Sequence, residues 1–139
     1  MAAFTLVDAM IIVNGVTLSD HANSVTVTDS RAVKDFTAFG ANSVVNGKGL
    51  GDATFDVTFF QDFAAAKTHA TLQPLIGSTT PVTVEVRPTS AIRSATNPAA
   101  VMSALMFDYK FVDGSVGEPS MTTATFKNGS QAGVTYPTA

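Results

Sequence analysis

The chain has 139 residues, eight Lys and Arg against eleven Asp and Glu, a formal charge of −3 and no cysteine. That length supports one domain with a real core, and the lack of cysteine excludes disulfides and thiolate metal sites. Charged residues are only 14% of the chain and form no basic cluster, which argues against nucleic-acid binding through phosphate contacts.

Residues 1–8 carry no capping or alternating pattern and read as an N-terminal arm. The apolar run at 10–13 is far shorter than a membrane span, and no basic stretch precedes it as in a signal peptide. Asn14-Gly15 separates that run from residues 16–18. This predicts a hairpin, because Asn-Gly supplies the positive φ angles of a tight turn. Val25 and Val27, alternating with Ser24, Thr26 and Thr28, predict another strand.

Over residues 31–51 the regular pattern thins. Gly47, Gly49 and Gly51 read as flexibility in a long loop, and a phosphate-loop reading fails because a strand rather than a helix follows. Yet Phe36, Phe39, Val44, Val45 and Leu50 are too apolar for a solvated linker. With Lys48 among them, they predict a loop that docks onto the chain's own core or onto a neighbour.

Residues 53–77 are the stretch around which the rest is organised. Phe55, Val57 and Phe59 alternate with Thr54, Asp56 and Thr58, as in a strand with one buried face. Asp62 is expected to cap the Ala-rich helix that follows, with Pro74 and Gly77 weakening and ending it. Val82, Val84 and Val86 alternate with Thr83, Glu85 and Arg87 in a strand that Pro88 closes. After a polar connection at 89–99, residues 102–112 return to strand. Phe107, Tyr109 and Phe111 are expected on one face, with Asp108 and Lys110 on the other. Residues 114–119 turn, and 121–126 form the last strand. Residues 128–139 are a polar tail, read as a short C-terminal arm or an added edge strand. Six or seven short strands with one helix predict a mainly β fold, a β-sandwich or partly closed β-barrel with one flanking α-helix.

Candidate chemistry is sparse. Ser19-Asp20-His21 holds the residue types of a hydrolytic triad, but sequence neighbours rarely point at one another as a triad requires. His69 has no His, Asp or Glu four residues away in its helix, so the two-ligand helical spacing is missing. Asn128-Gly129-Ser130 matches a glycosylation acceptor only formally. Asp56, Glu85 and Asp108 alternate with large apolar residues, as expected of the solvated face of a sheet. No catalytic, cofactor-binding or metal site is therefore expected, and an enzyme is the weakest class of reading.

The ordered segments IIVNGVTLSDHANSVTVTD, TAFG, FDVTFFQDFAAA, HATLQPLIG, VTVEVRPTSAIRSATNP and DGSVGEP resemble, over residues 10–126, the tail tube proteins (major tail proteins) of long-tailed bacteriophages. The resemblance implies a structural virion protein that forms stacked hexameric rings, a hollow tube through which DNA is ejected. It implies that residues 31–51 reach an adjacent ring and that both terminal arms make further contacts. It also implies partners: the chain itself, then tape-measure, tail terminator and baseplate or tail-tip proteins. Assembly would take place in the host bacterial cytoplasm, without a membrane, and DNA would pass through the lumen without specific binding. Asp56, Glu85 and Asp108 are the candidate lumen-facing residues. The alternatives are another virion β-domain, such as a capsid decoration protein, or a β-sandwich module that binds carbohydrate or protein. The absence of Trp and the presence of only two Tyr count against the module.

Overall fold

A computed structural model describes residues 3–139; Met1 and Ala2, the start of the expected N-terminal arm, lie outside the described residues. Seven strands form one antiparallel sheet: β1 (Met10–Val13), β2 (Val16–Thr17), β3 (Ala22–Asp35), β4 (Asn46–Phe60), β5 (Val82–Arg87), β6 (Ala100–Tyr109) and β7 (Met121–Asn128). Their spatial order is β2-β1-β5-β6-β7-β4-β3. The two edge strands, β2 and β3, are joined by residues 18–21 alone, which include a 3-10 turn at Ser19–His21. So short a link requires the sheet to roll until its edges approach, although the edge strands do not pair and the sheet stays open.

The first hairpin follows the sequence reading. Asn14 and Gly15 have φ of 51° and 82°, and Val13 pairs with Val16. Inside the roll, Phe55, Val57 and Phe59 of β4 meet Phe126, Ala124 and Thr122 of β7, and Val84 and Val86 of β5 meet Val13 and Ile11 of β1. Helix α1 (Thr68–Ile76) closes one side with Leu72 and Leu75. The hydroxyl of the buried Thr68 donates to the Phe60 carbonyl (2.9 Å), fixing the helix start to the end of β4.

Three expectations need correction. Residues 31–51 are not a structureless loop: Arg31–Asp35 continue β3 and Asn46–Gly51 open β4, paired across a register shift between Arg31 and Val33, so only residues 36–45 form a tip. The helix begins at Thr68 rather than just after Asp62. Asp62 Oδ1 accepts from the Ala64 N–H (2.9 Å), its carbonyl accepts from the His69 N–H (3.0 Å), and Ala66 has a φ of 60°, so the local turn outcompetes an early helix. Finally, a bulge between Met106 and Asp108 turns Phe107 outward, while Tyr109 packs on the core and Phe111 lies beyond the strand end.

The C-terminal tail lies on the body. Thr135 and Val101 exchange backbone hydrogen bonds (both 2.9 Å), the Ala99 N–H donates to the Pro137 carbonyl, and the Tyr136 hydroxyl donates to Asp29 Oδ2 (2.9 Å).

Candidate assembly interface

The strongest surface feature is the outer half of the β3–β4 hairpin. The core ends at Ala53, and beyond it the paired strands extend roughly 20 Å before the tip, at about 3.3 Å per residue. Phe36, Phe39, Val44, Val45, Lys48 and Leu50, all expected from sequence to dock, are all exposed on this arm, Phe39 fully so. The tip is nevertheless ordered by hydrogen bonds. The Phe36 N–H donates to the Val45 carbonyl (2.9 Å), the Val45 N–H to Thr37 Oγ1 (2.8 Å), and the Thr37 N–H to Asp35 Oδ1 (2.9 Å).

The glycines of this arm serve packing rather than flexibility. Gly47, Gly49 and Gly51 alternate along β4 and therefore share one face. A β-carbon would collide with the Phe36 ring at Gly47 and with the Arg31 guanidinium at Gly51, and would crowd the Ala32 and Lys34 side chains at Gly49. The stripe of missing side chains is thus a bed on which β3 side chains lie. The opposite face of the arm carries Val33, Lys48 and Leu50. The arm is thus an ordered ribbon that exposes Phe36, Phe39, Val44, Val45 and Leu50 to solvent.

The register also settles how the three carboxylates relate. Asp56 and Asp108 are both cross-strand partners of Thr125, and Glu85 pairs with Val101 on the same outer face. Around Asp56 that face is dominated by threonines: Thr26 and Thr28 of β3, Thr54 and Thr58 of β4, Thr123 and Thr125 of β7. Their states differ. Asp56 accepts from the Thr125 hydroxyl (2.9 Å), and Asp108 is exposed. Glu85 is only 8% exposed, ion-paired with Arg87 (3.0 Å) and clamped by Arg93, so it presents no free charge. Lys127 shares the face and was not foreseen in this role.

The histidines are structural. Ser19 Oγ accepts from the Ile11 N–H (2.9 Å) and contacts Met10, turned away from any triad. His21 bridges two carboxylates: Nε2 lies 2.7 Å from Asp62, and Nδ1 lies 2.9 Å from Asp20 as an ionic contact without hydrogen-bond alignment. Asp20 first, then Asp62, raise the His21 pKa above its ordinary value against the opposing effect of burial. Lys67 also reaches Asp20 (3.1 Å). His69 Nδ1 and the Tyr109 hydroxyl share a hydrogen bond (2.6 Å) inside a cluster with Phe63 and Phe111. Among the described residues no group of three His, Asp or Glu side chains is placed to hold a metal ion, and no helix is long and apolar enough to cross a membrane.

No protein-family model and no curated protein matches the chain. Solved structures do. A chain of the virion of a native gene transfer agent particle aligns over 97% of this chain and 99% of its own, with a TM-score of 0.75 at 8% identity. A chain of an extracellular contractile injection system, from its sheath-tube complex in the extended state, aligns over 99% and 93%, with a TM-score of 0.71 at 10% identity. A chain from the tail of an empty gene transfer agent particle, refined with C6 symmetry, aligns over 84% and 82%, with a TM-score of 0.63 at 9% identity. The chain has the fold of these virion, sheath-tube and tail chains, a mainly β sheet with a flanking helix.

Proposed function

We propose that the chain is a non-enzymatic tail tube subunit whose copies associate into six-fold rings, the rings stacking into a hollow tube through which DNA is ejected. The observation that carries this reading is the arm: an ordered hairpin, apolar on its exposed surface, projecting from a body whose fold matches tail and tube components. Unpaired edges at β2 and β3, a liability in an isolated molecule, serve as lateral contacts in a ring.

In this reading the threonine-rich face with Asp56 and Asp108 lines the bore, since the opposite face is filled by the core and α1. Six copies at −3 each carry about −18 in all, a field that keeps DNA from adhering. The tape-measure, terminator and baseplate or tail-tip proteins complete the particle, assembled in the bacterial cytoplasm.

Negative-stain microscopy of concentrated protein tests the proposal. Hollow tubes or six-fold rings are expected for the natural chain, and Phe39→Ser is expected to abolish stacking while leaving the melting temperature unchanged. A natural chain that stays monomeric at every concentration would overturn the reading.

A further inference from the structure

The arm has a complement on its own molecule, at the other end of the same strands. Residues 31–51 contain Arg31, Lys34 and Lys48 against Asp35 alone, a net +2, which leaves −5 on the rest of the chain. None of the three cations makes an ion pair among the described residues. At the foot of β4, Phe60 pairs with Met121 at the start of β7, and the connection from β6 to β7 folds over both. There a shallow basin is lined by Asn23, Phe60, Asp113, Glu118 and Met121.

Its charge and apolarity match the arm. Among the described residues Glu118 has no ion-pair partner, and the one ion pair of Asp113 is to the exposed Lys110 at 3.9 Å, a pair too loose to neutralise it. Val112 and Val116 stand exposed on the same connection, Val116 fully, as apolar counterparts to Phe39 and Val44.

Resting on the stacked-tube reading above, we propose that this basin receives the arm of the next copy, with Lys34 and Lys48 meeting Asp113 and Glu118 around an apolar centre. The occupant is a second copy of this chain. Plug and socket lie at opposite ends of β4, so each contact leaves a free plug at one end and a free socket at the other. Such heterologous contacts propagate along an axis wherever the rotation between successive copies does not close a ring. Opposed surface charges also favour one docking polarity over its reverse and weaken as salt screens them.

Charge exchange tests the assignment. Lys34→Glu with Lys48→Glu, and separately Asp113→Lys with Glu118→Lys, should each lower the assembled fraction by about tenfold or more through like-charge contact. The variant carrying all four changes should recover tubes. All four positions are exposed, and matched melting curves confirm that each variant is folded. The chain has no cysteine, so Phe39→Cys combined with Val116→Cys gives an independent reading: mild oxidation of tubes should yield a ladder of linked copies, which neither single variant gives. If the natural chain forms no tubes, the tube reading itself falls. If it forms tubes but the fourfold variant does not recover and no ladder appears, the socket lies elsewhere and only this inference is overturned.

Discussion

The ring of Phe36 occupies the space directly above Gly47, where a β-carbon would otherwise stand. This relationship explains both an exposed aromatic and a glycine inside a strand, because the bare backbone supports the ring from below. Gly47→Val should leave the fold intact, with a stability change within about 1 kcal/mol, since a β-branched residue suits a strand. It should nevertheless displace Phe36 and impair tube formation. Melting and sedimentation measured on the same sample separate the two effects; loss of folding would show that the arm supports the body.

His21 ties the turn before β3 to the segment before α1 through Asp20 and Asp62. Its raised pKa means the protonated form is favoured in the folded state, so its contribution is complete below about pH 6.5 and is lost as pH rises through the raised value. Asp20 is lowered chiefly by His21 and then Lys67, and Asp62 chiefly by the Ala64 N–H and then His21. Their contributions are present above the ordinary carboxylate range and lost as pH falls through the depressed values. Chemical denaturation across pH should therefore show a decline on the alkaline side that His21→Gln removes. An unchanged slope in that variant would refute the staple.

Phe55 and Phe126 are fully buried cross-strand partners on β4 and β7. Phe126→Ala should cost about 3–5 kcal/mol, a large share of the roughly 5–15 kcal/mol that stabilises a domain. Urea denaturation gives the value directly, and a loss below about 1 kcal/mol would mean that the core re-forms around the gap.

Glu85 and Asp108 lie on one face but should behave differently. Glu85→Gln leaves Arg87 and Arg93 uncompensated and should lower stability measurably, while Asp108→Asn should leave it within about 0.5 kcal/mol. If this face lines the bore, Asp108→Cys in assembled tubes should react with a small maleimide and resist one carried on a bulky protein. Equal labelling by both would place Asp108 outside the channel.

Much of the body was legible in the sequence. The Asn-Gly turn, the period-two valines of β5 and the Phe55-Val57-Phe59 stripe all sit where expected, because local sterics and a single buried face dictate them. The bulge at Phe107 and the late start of α1 were not legible. Each follows from a competition, between sheet register and alternation in one case and between an aspartate turn and helix propensity in the other, that short-range pattern does not resolve.

The arm divides the two sources of information most clearly. Sequence by itself determined that residues 31–51 hold apolar side chains that a solvated linker would not carry, and that Asp56, Glu85 and Asp108 alternate with buried positions. Only the tertiary structure decided that the region is a paired ribbon, since Gly47, Gly49 and Gly51 have no strand preference of their own and acquire one from the β3 side chains above them. It also decided which carboxylates remain free. Alternation places a residue on a face, but only the fold brings Arg93 back over Glu85 to pair with it.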